Sequence, residues 1–499
     1  MELFDHLWLG FAAAATPTNL LFCFIGALLG TLIGVLPGIG PAATLAMLLP
    51  ITFYLPPLGS LIMLAGIYYG AQYGGSTTAI LVNLPGESSS VVTCLDGYAM
   101  AREGRAGAAL AIAALASFFA GTVATLLVAL AAAPMTVIAL SFGPAEYVSL
   151  MVFGLIGAVV LASGSVLSAV GMILIGILLG MIGTDVNSGA IRYSFGIREL
   201  YTGLDFIPVA VGIFGFAEII ANLENPETRS ILRAKIGRLW PTRDDFRRSW
   251  PAVLRGTGLG SLCGVLPGGG AVISSFASYS FEKKFARDPS RFGKGAVEGV
   301  AGPEAANNAG AQTQFIPMLT LGIPASATMA LMIGAMTIQG IRPGPAIMRD
   351  NPELFWGLIA SMWLGNLMLV VINLPLIGIW VRLLSIPYRL LYPAILLFCC
   401  IGVFSISNSP FDVAVAAGFG VFGYVARKLD CEPAPLLLGF VLGPMLEENF
   451  RRAMAISIGD YSVFWSRPIS LGLLIVSALL LLALVVPGIR RARQQAPEE

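Results

Sequence analysis

Long runs without charged residues dominate the pattern of hydrophobic and polar positions along the chain. No Asp, Glu, Lys or Arg occurs in 7–86, and further charge-free runs are 106–145, 147–184, 256–281, 305–341, 354–381, 390–411 and 468–489. A helix of about 20 apolar residues spans a bilayer, so 7–86 must contain several crossings or segments that enter the membrane and return. We therefore predict an all-α polytopic membrane protein with about ten to twelve membrane segments.

Two of these runs contain the same sequence motif, in which proline and glycine interrupt the apolar residues. Residues 30–40 read GTLIGVLPGIG and residues 260–270 read GSLCGVLPGGG, with Pro37 and Pro267 in equivalent positions. Proline removes a backbone donor and clashes with the preceding turn, and the glycines permit conformations that other residues avoid. Apolar segments broken at corresponding places in two halves are typical of a transporter's binding site. The alternative is that the prolines are ordinary kinks in packed helices. The recurrence of the motif in the second half disfavours this alternative.

A basic stretch divides the chain into two comparable halves. Residues 223–255 contain eight basic residues, namely Arg229, Arg233, Lys235, Arg238, Arg243, Arg247, Arg248 and Arg255. Short loops rich in Lys and Arg face the cytoplasm. The predicted organisation is a first membrane repeat in 1–222, a cytoplasmic linker in 223–255, a second membrane repeat in 256–455, and a C-terminal helix with a cytoplasmic tail in 456–499.

The charges that flank the two broken segments predict their orientation. No Lys or Arg precedes the first segment, whereas the basic linker precedes the second. The two segments are therefore expected to enter from opposite sides of the membrane, as in an inverted repeat. A parallel repeat is the alternative, since the evidence at the N-terminus is only an absence of charge. Within an inverted repeat we expect an elevator-type carrier, in which the broken or re-entrant helices move as a unit.

Composition narrows the possible functions. The 499 residues are 57% hydrophobic and only 11% charged, whereas about 25% of a soluble domain is charged. The single histidine is His6, and neither an H-E-x-x-H nor a G-x-S-x-G motif occurs. We therefore expect a secondary transporter and no enzyme. A polytopic membrane enzyme and a channel are the alternatives.

Four proline breaks are candidates for an anion site. Small or polar residues follow each of them, and a helix that restarts there presents unpaired N–H groups and a positive dipole end. Such ends bind anions without a charged side chain. Helix capping alone is the alternative. The predicted substrate-binding residues are Pro37, Gly38, Gly40, Pro85, Gly86, Ser88, Ser89, Pro267, Gly268, Gly269, Gly270, Ser274, Pro324 and Ser326.

Two polar stretches within apolar surroundings are candidates for an ion site. Residues 66–83 and 298–314 contain many Ser, Thr, Asn and Gln side chains, and polar groups inside a membrane are usually functional. Hydrogen bonding between helices is the alternative. The predicted ion-binding residues are Ser76, Thr77, Asn83, Asn307 and Asn308. Further candidate proton or ion carriers are Glu87, Asp96, Glu298 and Glu304. We expect no cofactor and no metal beyond a sodium ion.

Several long motifs resemble those of one transporter family. They are LPGIGPAATLAMLLPITF, GIYYGAQYGGSTTAILVNLPGE, DGYAMAREGRAG, LPGGGAVISSFASYSFEKK, EGVAGPEAANNA and LGIPASATMALMIGAM. They resemble the large membrane subunit of the tripartite tricarboxylate transporters, the TctA family, from about residue 20 to about residue 450.

The resemblance implies a location, partners, a substrate class and an energy source. The protein would lie in a bacterial inner (cytoplasmic) membrane and work with a small four-helix membrane subunit and a periplasmic solute-binding protein. Its substrates would be carboxylates such as citrate or related organic acids. A gradient of Na⁺ or H⁺ would drive uptake, and the absence of a G-x-x-x-x-G-K-[ST] loop agrees with a source other than ATP.

Overall fold

The computed structural model is built from helices that the prolines and glycines of the sequence delimit. It describes residues 2–36, 40–162, 165–185, 188–224, 238–266, 270–344, 346–383 and 388–485. Within these ranges the only strands are β1 (Gly183–Thr184) and β2 (Ile191–Arg192), which pair antiparallel. The prediction of an all-α membrane protein is confirmed at this level.

The helices before the basic linker are α1 (Glu2–Ala14), α2 (Pro17–Gly34), α3 (Pro41–Thr52), α4 (Pro57–Val82), α5 (Val91–Thr93), α6 (Ala106–Leu140), α7 (Pro144–Leu161), α8 (Val166–Gly180), α9 (Phe206–Ala210) and α10 (Ala217–Glu224). Short 3₁₀ turns lie at Ser88–Ser90 and Arg198–Leu200, and π-helical turns at Cys94–Tyr98, Ala101–Arg105 and Val211–Phe216. Of the predicted linker, residues 225–237 lie outside the described residues.

The helices that follow are α11 (Arg243–Val265), α12 (Gly270–Phe285), α13 (Glu298–Thr313), α14 (Phe315–Leu321), α15 (Ala327–Ile338), α16 (Ile347–Asp350), α17 (Pro352–Asn373), α18 (Ile377–Leu383), α19 (Tyr388–Ser407), α20 (Pro410–Lys428), α21 (Ala434–Ile456), α22 (Val463–Ser466) and α23 (Pro468–Val485). A 3₁₀ turn lies at Pro289–Arg291. The predicted boundaries of the two repeats and of the tail stay predictions.

Both copies of the repeated motif, at 30–40 and 260–270, interrupt a helix, as the sequence predicts. In the first, α2 ends at Gly34 and α3 starts with Pro41, whose fixed φ suits the first position of a helix. In the second, α11 ends at Val265 and α12 starts at Gly270 with a φ of +30°, a conformation that glycine tolerates best.

Glycines of the helix before each break bring that helix into backbone contact with α4 in the first half and with α13 in the second. A Cβ added to Gly26, Gly30 or Gly34 of α2 would lie 2.2–2.5 Å from a carbonyl oxygen of α4, at Met63, Ile67 and Ala71 respectively. In the second half, a Cβ on Gly256, Gly260 or Gly264 of α11 would lie 2.2–2.4 Å from a carbonyl oxygen of α13, at Gly302, Ala306 and Gly310 respectively. Small residues at this spacing allow close packing of membrane helices. Both halves therefore contain a pair of helices that pack closely through glycines at every fourth position.

Four helical segments in the described ranges are long and apolar enough to cross a membrane, namely Pro17–Gly34, Ala101–Ala132, Phe206–Glu224 and Pro352–Asn373. Shorter apolar helices occur at Leu3–Ala14, Pro41–Thr52, Pro144–Val160, Val166–Gly180, Ala327–Ile338, Tyr392–Ser407 and Pro468–Leu482. The breaks divide the long apolar runs into these shorter pieces. The expected number of membrane segments, the inverted relation of the repeats and the elevator-type movement therefore stay predictions.

Two polar helices lie at the centre of the molecule. In α4 every residue from Gly59 to Val82 is buried, and in α13 every residue from Gly299 to Thr313 is buried. Helices α2, α6 and α17 pack against α4, while α6, α11 and α12 pack against α13. Helices α7, α8, α21 and α23 pack mainly with one another. The surrounding helices thus shield the two polar stretches that the sequence singles out.

Candidate functional site

The carboxylate of Glu304 joins the two halves of the chain. Glu304 lies on α13 and is 1% exposed. One carboxylate oxygen accepts a hydrogen bond from the Ser76 hydroxyl of α4 at 2.7 Å, and the other accepts one from the Thr93 hydroxyl at 2.5 Å. Removing a carboxylate from water is costly unless hydrogen bonds compensate it. The two hydroxyls therefore hold a buried acid at the contact between the polar helices.

A second buried carboxylate lies nearby in the first half. Glu87 precedes the 3₁₀ turn Ser88–Ser90, and its Oε1 accepts a hydrogen bond from Asn307 Nδ2 at 3.0 Å. In the same turn, the Ser89 hydroxyl donates to Oε1 of Gln72 on α4 at 3.2 Å. Predicted residues of both halves thus meet around Glu87.

A hydrogen bond to α4 and close backbone packing against the 84–87 turn hold the first helix break in place. The Thr78 hydroxyl donates to the carbonyl oxygen of Val35, just after the end of α2, at 2.9 Å. A Cβ on Gly86 would lie 2.4 Å from Gly75 Cα and 2.5 Å from the carbonyl oxygen of Gly34. Only glycine therefore fits at position 86, which directly follows Pro85.

Gln314 lies where the second break and the fourth proline break meet. A Cβ on Gly270, at the start of α12, would be 3.4 Å from Gln314 Nε2. The Ser326 hydroxyl, which caps α15, donates to Gln314 Oε1 at 2.5 Å, and Gln314 Nε2 donates to the Tyr68 hydroxyl at 3.4 Å. Sequence reasoning did not select Gln314 as a ligand, although it ends the polar stretch 298–314.

The remaining predicted substrate-binding residues have different surroundings. Ser274 is fully buried, and its hydroxyl donates to the carbonyl oxygen of Gly270 at 2.6 Å. Gly40 caps α3 with extended backbone and has open space where a Cβ would be. Ser88 is half-buried and Pro324 is buried. Pro37, Gly38, Pro267, Gly268 and Gly269 lie outside the described residues.

The structure gathers most of the predicted ion-binding residues around the two carboxylates. Asn308 Nδ2 donates to the hydroxyl of Ser117 on α6 at 2.6 Å, and the Thr77 hydroxyl donates to the carbonyl oxygen of Tyr73 at 3.3 Å. Asn83 differs from the others, because it is exposed and terminates α4 in the left-handed conformation, with a φ of 59°. The ion-binding role of all five residues stays a prediction.

The other two candidate carriers have structural partners. Asp96 is fully buried, and its Oδ1 accepts three backbone hydrogen bonds, from Gly293, Gly295 and Ala296, at 2.7–2.9 Å. Its Oδ2 accepts a hydrogen bond from the Tyr279 hydroxyl at 3.0 Å. Glu298 pairs with Arg248 at 3.0 Å. Asp96 therefore anchors the segment between α12 and α13 to the first half.

The chemistry of the central region is polar but free of basic side chains. In the described ranges no Lys or Arg is buried, and no group of three or more His, Cys, Asp and Glu residues has a metal-binding arrangement. The available groups are hydroxyls, amides, backbone N–H groups at helix starts and two carboxylates. Sequence reasoning missed Gln72, Thr93 and Ser117, which are recognisable only from their neighbours in the folded chain.

These features define a class of protein: a helical membrane protein with interrupted helices around a buried polar interior. Residues 20–438 match the tripartite tricarboxylate transporter TctA family, and the chain belongs to that family. The resemblance of the sequence motifs is therefore confirmed, and the family is one of transporters.

Two similar proteins come from Agrobacterium vitis. An uncharacterized 52.8 kDa protein in the TAR-I ttuC' 3' region is 59% identical over 495 residues, covering 99% of each chain. An uncharacterized protein in the TAR-II ttuC' 3' region is 60% identical over 236 residues, which are 47% of this chain and 98% of that protein. No solved structure matches the chain.

Proposed function

We propose that the protein is the membrane subunit through which a tripartite system imports a carboxylate, such as citrate or a related organic acid. Membership of the TctA family supports a transporter subunit. The observation that best supports an anionic substrate is at Gln314. The starts of two helices, at Gly270 and Ser326, lie beside this side chain. Helix starts and amide or hydroxyl donors bind an anion without a buried cationic side chain.

The proposed substrate site comprises the starts of α3, α12 and α15 together with the 85–90 turn. No Lys or Arg occurs in 7–86, 256–281 or 305–341, so these stretches contain no basic side chain that could pair with a carboxylate. The donors they contain are backbone N–H groups, hydroxyls and amides. Glycine at the helix starts lets a ligand approach the backbone closely.

Uptake of an anion into a cell that is negative inside requires a coupled cation. Each elementary charge that crosses the membrane changes the free energy by about 2.3 kcal/mol per 100 mV. The proposed driving force is a gradient of Na⁺ or H⁺. The proposed partners are a small four-helix membrane subunit and a periplasmic solute-binding protein that delivers the substrate at the inner membrane.

The test uses proteoliposomes that contain both membrane subunits and receive the binding protein loaded with a labelled acid. A panel of mono-, di- and tricarboxylates identifies the substrate, and chromatography of the liposome contents shows whether it is altered. The proposal predicts accumulation of unaltered acid above the external concentration when a cation gradient is imposed. A chemically changed product would indicate an enzyme, and equilibration without accumulation would indicate a channel.

A further inference from the structure

A small cavity lies between α4, α6 and the end of α17, and the hydroxyl of Ser76 in its lining contacts the carboxylate of Glu304. It has a volume of about 10 Å³ for the centre of a water-sized particle, which is room for one such particle. Its polar lining comes from three helices, namely Tyr73, Ser76 and Thr77 of α4, Ser117 of α6 and Asn373 of α17. The cavity is therefore small, and oxygen-bearing side chains form one half of its lining, while Leu110, Ala113, Ala114, Leu374 and Ile377 form the apolar half.

Two oxygen atoms of this lining have no hydrogen-bond partner in the part of the chain that the structure describes. They are the hydroxyl oxygen of Tyr73 and Oδ1 of Asn373, and both side chains are 4% exposed. Leaving a buried polar atom unsatisfied costs about 1–3 kcal/mol. A particle in the cavity that interacts with oxygen would offset this cost at both atoms.

The surroundings of the cavity carry negative charge. The Ser76 hydroxyl lines the cavity and also contacts the Glu304 carboxylate at 2.7 Å. The negative end of the dipole of α17 lies at the cavity, because α17 ends at Asn373, which lines it. The start of the much shorter α18, at Ile377, also lines it. Among the side chains whose burial the structure describes, no Lys or Arg is buried, and the side-chain partners of the Glu304 carboxylate there are the hydroxyls of Ser76 and Thr93.

We propose that this cavity binds one sodium ion, with Glu304 supplying the compensating charge. Hydroxyl, amide and carboxylate oxygens suit a hard cation, and carboxylates are the usual ligands where such a cation is divalent. A single carboxylate, one hydrogen bond away through Ser76, therefore favours a monovalent ion. The C-terminal end of a broken membrane helix is a recognised environment for sodium. The role of this site in coupling rests on the proposed function. The site adds to that function by selecting sodium as the driving ion.

This site differs from the set of residues that the sequence predicted. Ser76 and Thr77 were predicted ion-binding residues and Glu304 was a candidate proton or ion carrier, whereas Tyr73, Ser117 and Asn373 were not among the predicted ion ligands. Asn308 contributes indirectly, because its Nδ2 donates a hydrogen bond to the Ser117 hydroxyl and so holds that oxygen in the cavity lining.

The test is a sodium titration of thermal unfolding with the purified full-length protein, in which choline chloride keeps the ionic strength constant. A ligand that binds only the folded state stabilises it by RT ln(1 + [L]/Kd), so the unfolding temperature rises with ligand concentration, and more weakly where the Kd is higher. The wild-type protein should show a rise that is specific for sodium over choline. Tyr73→Phe removes an atom without a protein partner, so it should fold normally and need roughly tenfold more sodium for the same rise.

Tyr69→Phe is the matched control, because the Tyr69 hydroxyl is also buried and has no hydrogen-bond partner among the described residues, but does not line the cavity. This variant should respond to sodium like the wild type, whereas Glu304→Gln should lose the response. The proposal is overturned if the wild type shows no rise specific for sodium, which would indicate a water in the cavity. It is also overturned if Tyr73→Phe and Tyr69→Phe both respond like the wild type.

Uptake measurements separate this site from the proposed transport function. If sodium binds as described but uptake is indifferent to every cation gradient, the sodium site stands and the coupled transport fails. If uptake requires sodium but Tyr73→Phe and Glu304→Gln respond to sodium like the wild type, coupled transport stands and the cavity is not the sodium site.

Discussion

The hydroxyl of Ser76, in the first half of the chain, donates a hydrogen bond of 2.7 Å to the buried carboxylate of Glu304 in the second half. This contact places the polar stretches 66–83 and 298–314 against each other. It also brings the only acidic group of α13 that is buried within the bundle next to the small cavity at Tyr73. The polar interior is therefore shared between the halves, and a change in either half should affect it.

Gln314 should affect substrate affinity more than protein stability. Gln314→Leu keeps similar volume but removes the hydrogen bonds to Ser326 and Tyr68. We expect the KM for the transported acid to rise about tenfold, because the side chain lies between two helix starts of the proposed site. Ser290→Ala, in an exposed turn, is the control. An unchanged KM with normal expression would remove Gln314 from the site.

Asp96 should stabilise the contact between the two halves. Asp96→Ala removes the acceptor of three backbone N–H groups and leaves them unpaired in a buried region. We expect a loss of about 2–4 kcal/mol in the free energy of unfolding, because hydrogen bonds to a charged group are worth about 1.5–3 kcal/mol each and part of this is recovered by relaxation. The unfolding temperature in detergent measures this loss. Asp350→Ala, an exposed change, should leave that temperature unaltered.

The glycines that join α2 to α4 should tolerate no side chain. A Cβ on Gly30 would lie 2.2 Å from the carbonyl oxygen of Ile67, so Gly30→Ala must push the two backbones apart. We expect low yield of folded protein, measured by size-exclusion chromatography in detergent. Gly171→Ala is the matched control in another apolar helix, because it has open space at this position. Equal yields from both variants would contradict the close packing of the helices.

The location of the helix breaks could be predicted from the sequence, but the partners within the site could not. Pro41 and Gly270 start helices through local backbone preferences, which depend only on neighbouring residues. The contact of Glu304 with Thr93 joins residues that are distant in the sequence, so it depends on how α5 packs against α13. For the same reason the cavity beside Tyr73 appears only once α17 is in place.

The inverted relation of the two repeats can be tested with the predicted topology. The linker 223–255 should face the cytoplasm because of its eight basic residues. In a variant without its native cysteines, Ser230→Cys should resist a membrane-impermeant thiol reagent on intact cells, and Asp5→Cys should react. Labelling of both positions from the same side would favour a parallel repeat.

The central claim is that backbone groups at the broken helices hold the carboxylate, without a basic side chain. Gly40→Ala tests it, because Gly40 has extended backbone and open space at the Cβ position, so the change is compatible with folding. Gly258→Ala, which also adds a Cβ in open space, is the matched control. Arg102→Ala and Arg342→Ala remove exposed charges that lie outside the four proline breaks in the sequence.

The most direct measurement is the initial rate of labelled carboxylate uptake by these four variants at equal amounts of protein in the membrane. The account predicts that Gly40→Ala lowers uptake at least about tenfold, because a methyl group blocks the approach of the ligand to the start of α3. The control and both arginine variants should retain most of the wild-type rate. Normal uptake by Gly40→Ala together with loss of uptake by either arginine variant would show that a basic side chain holds the anion, and would contradict the account.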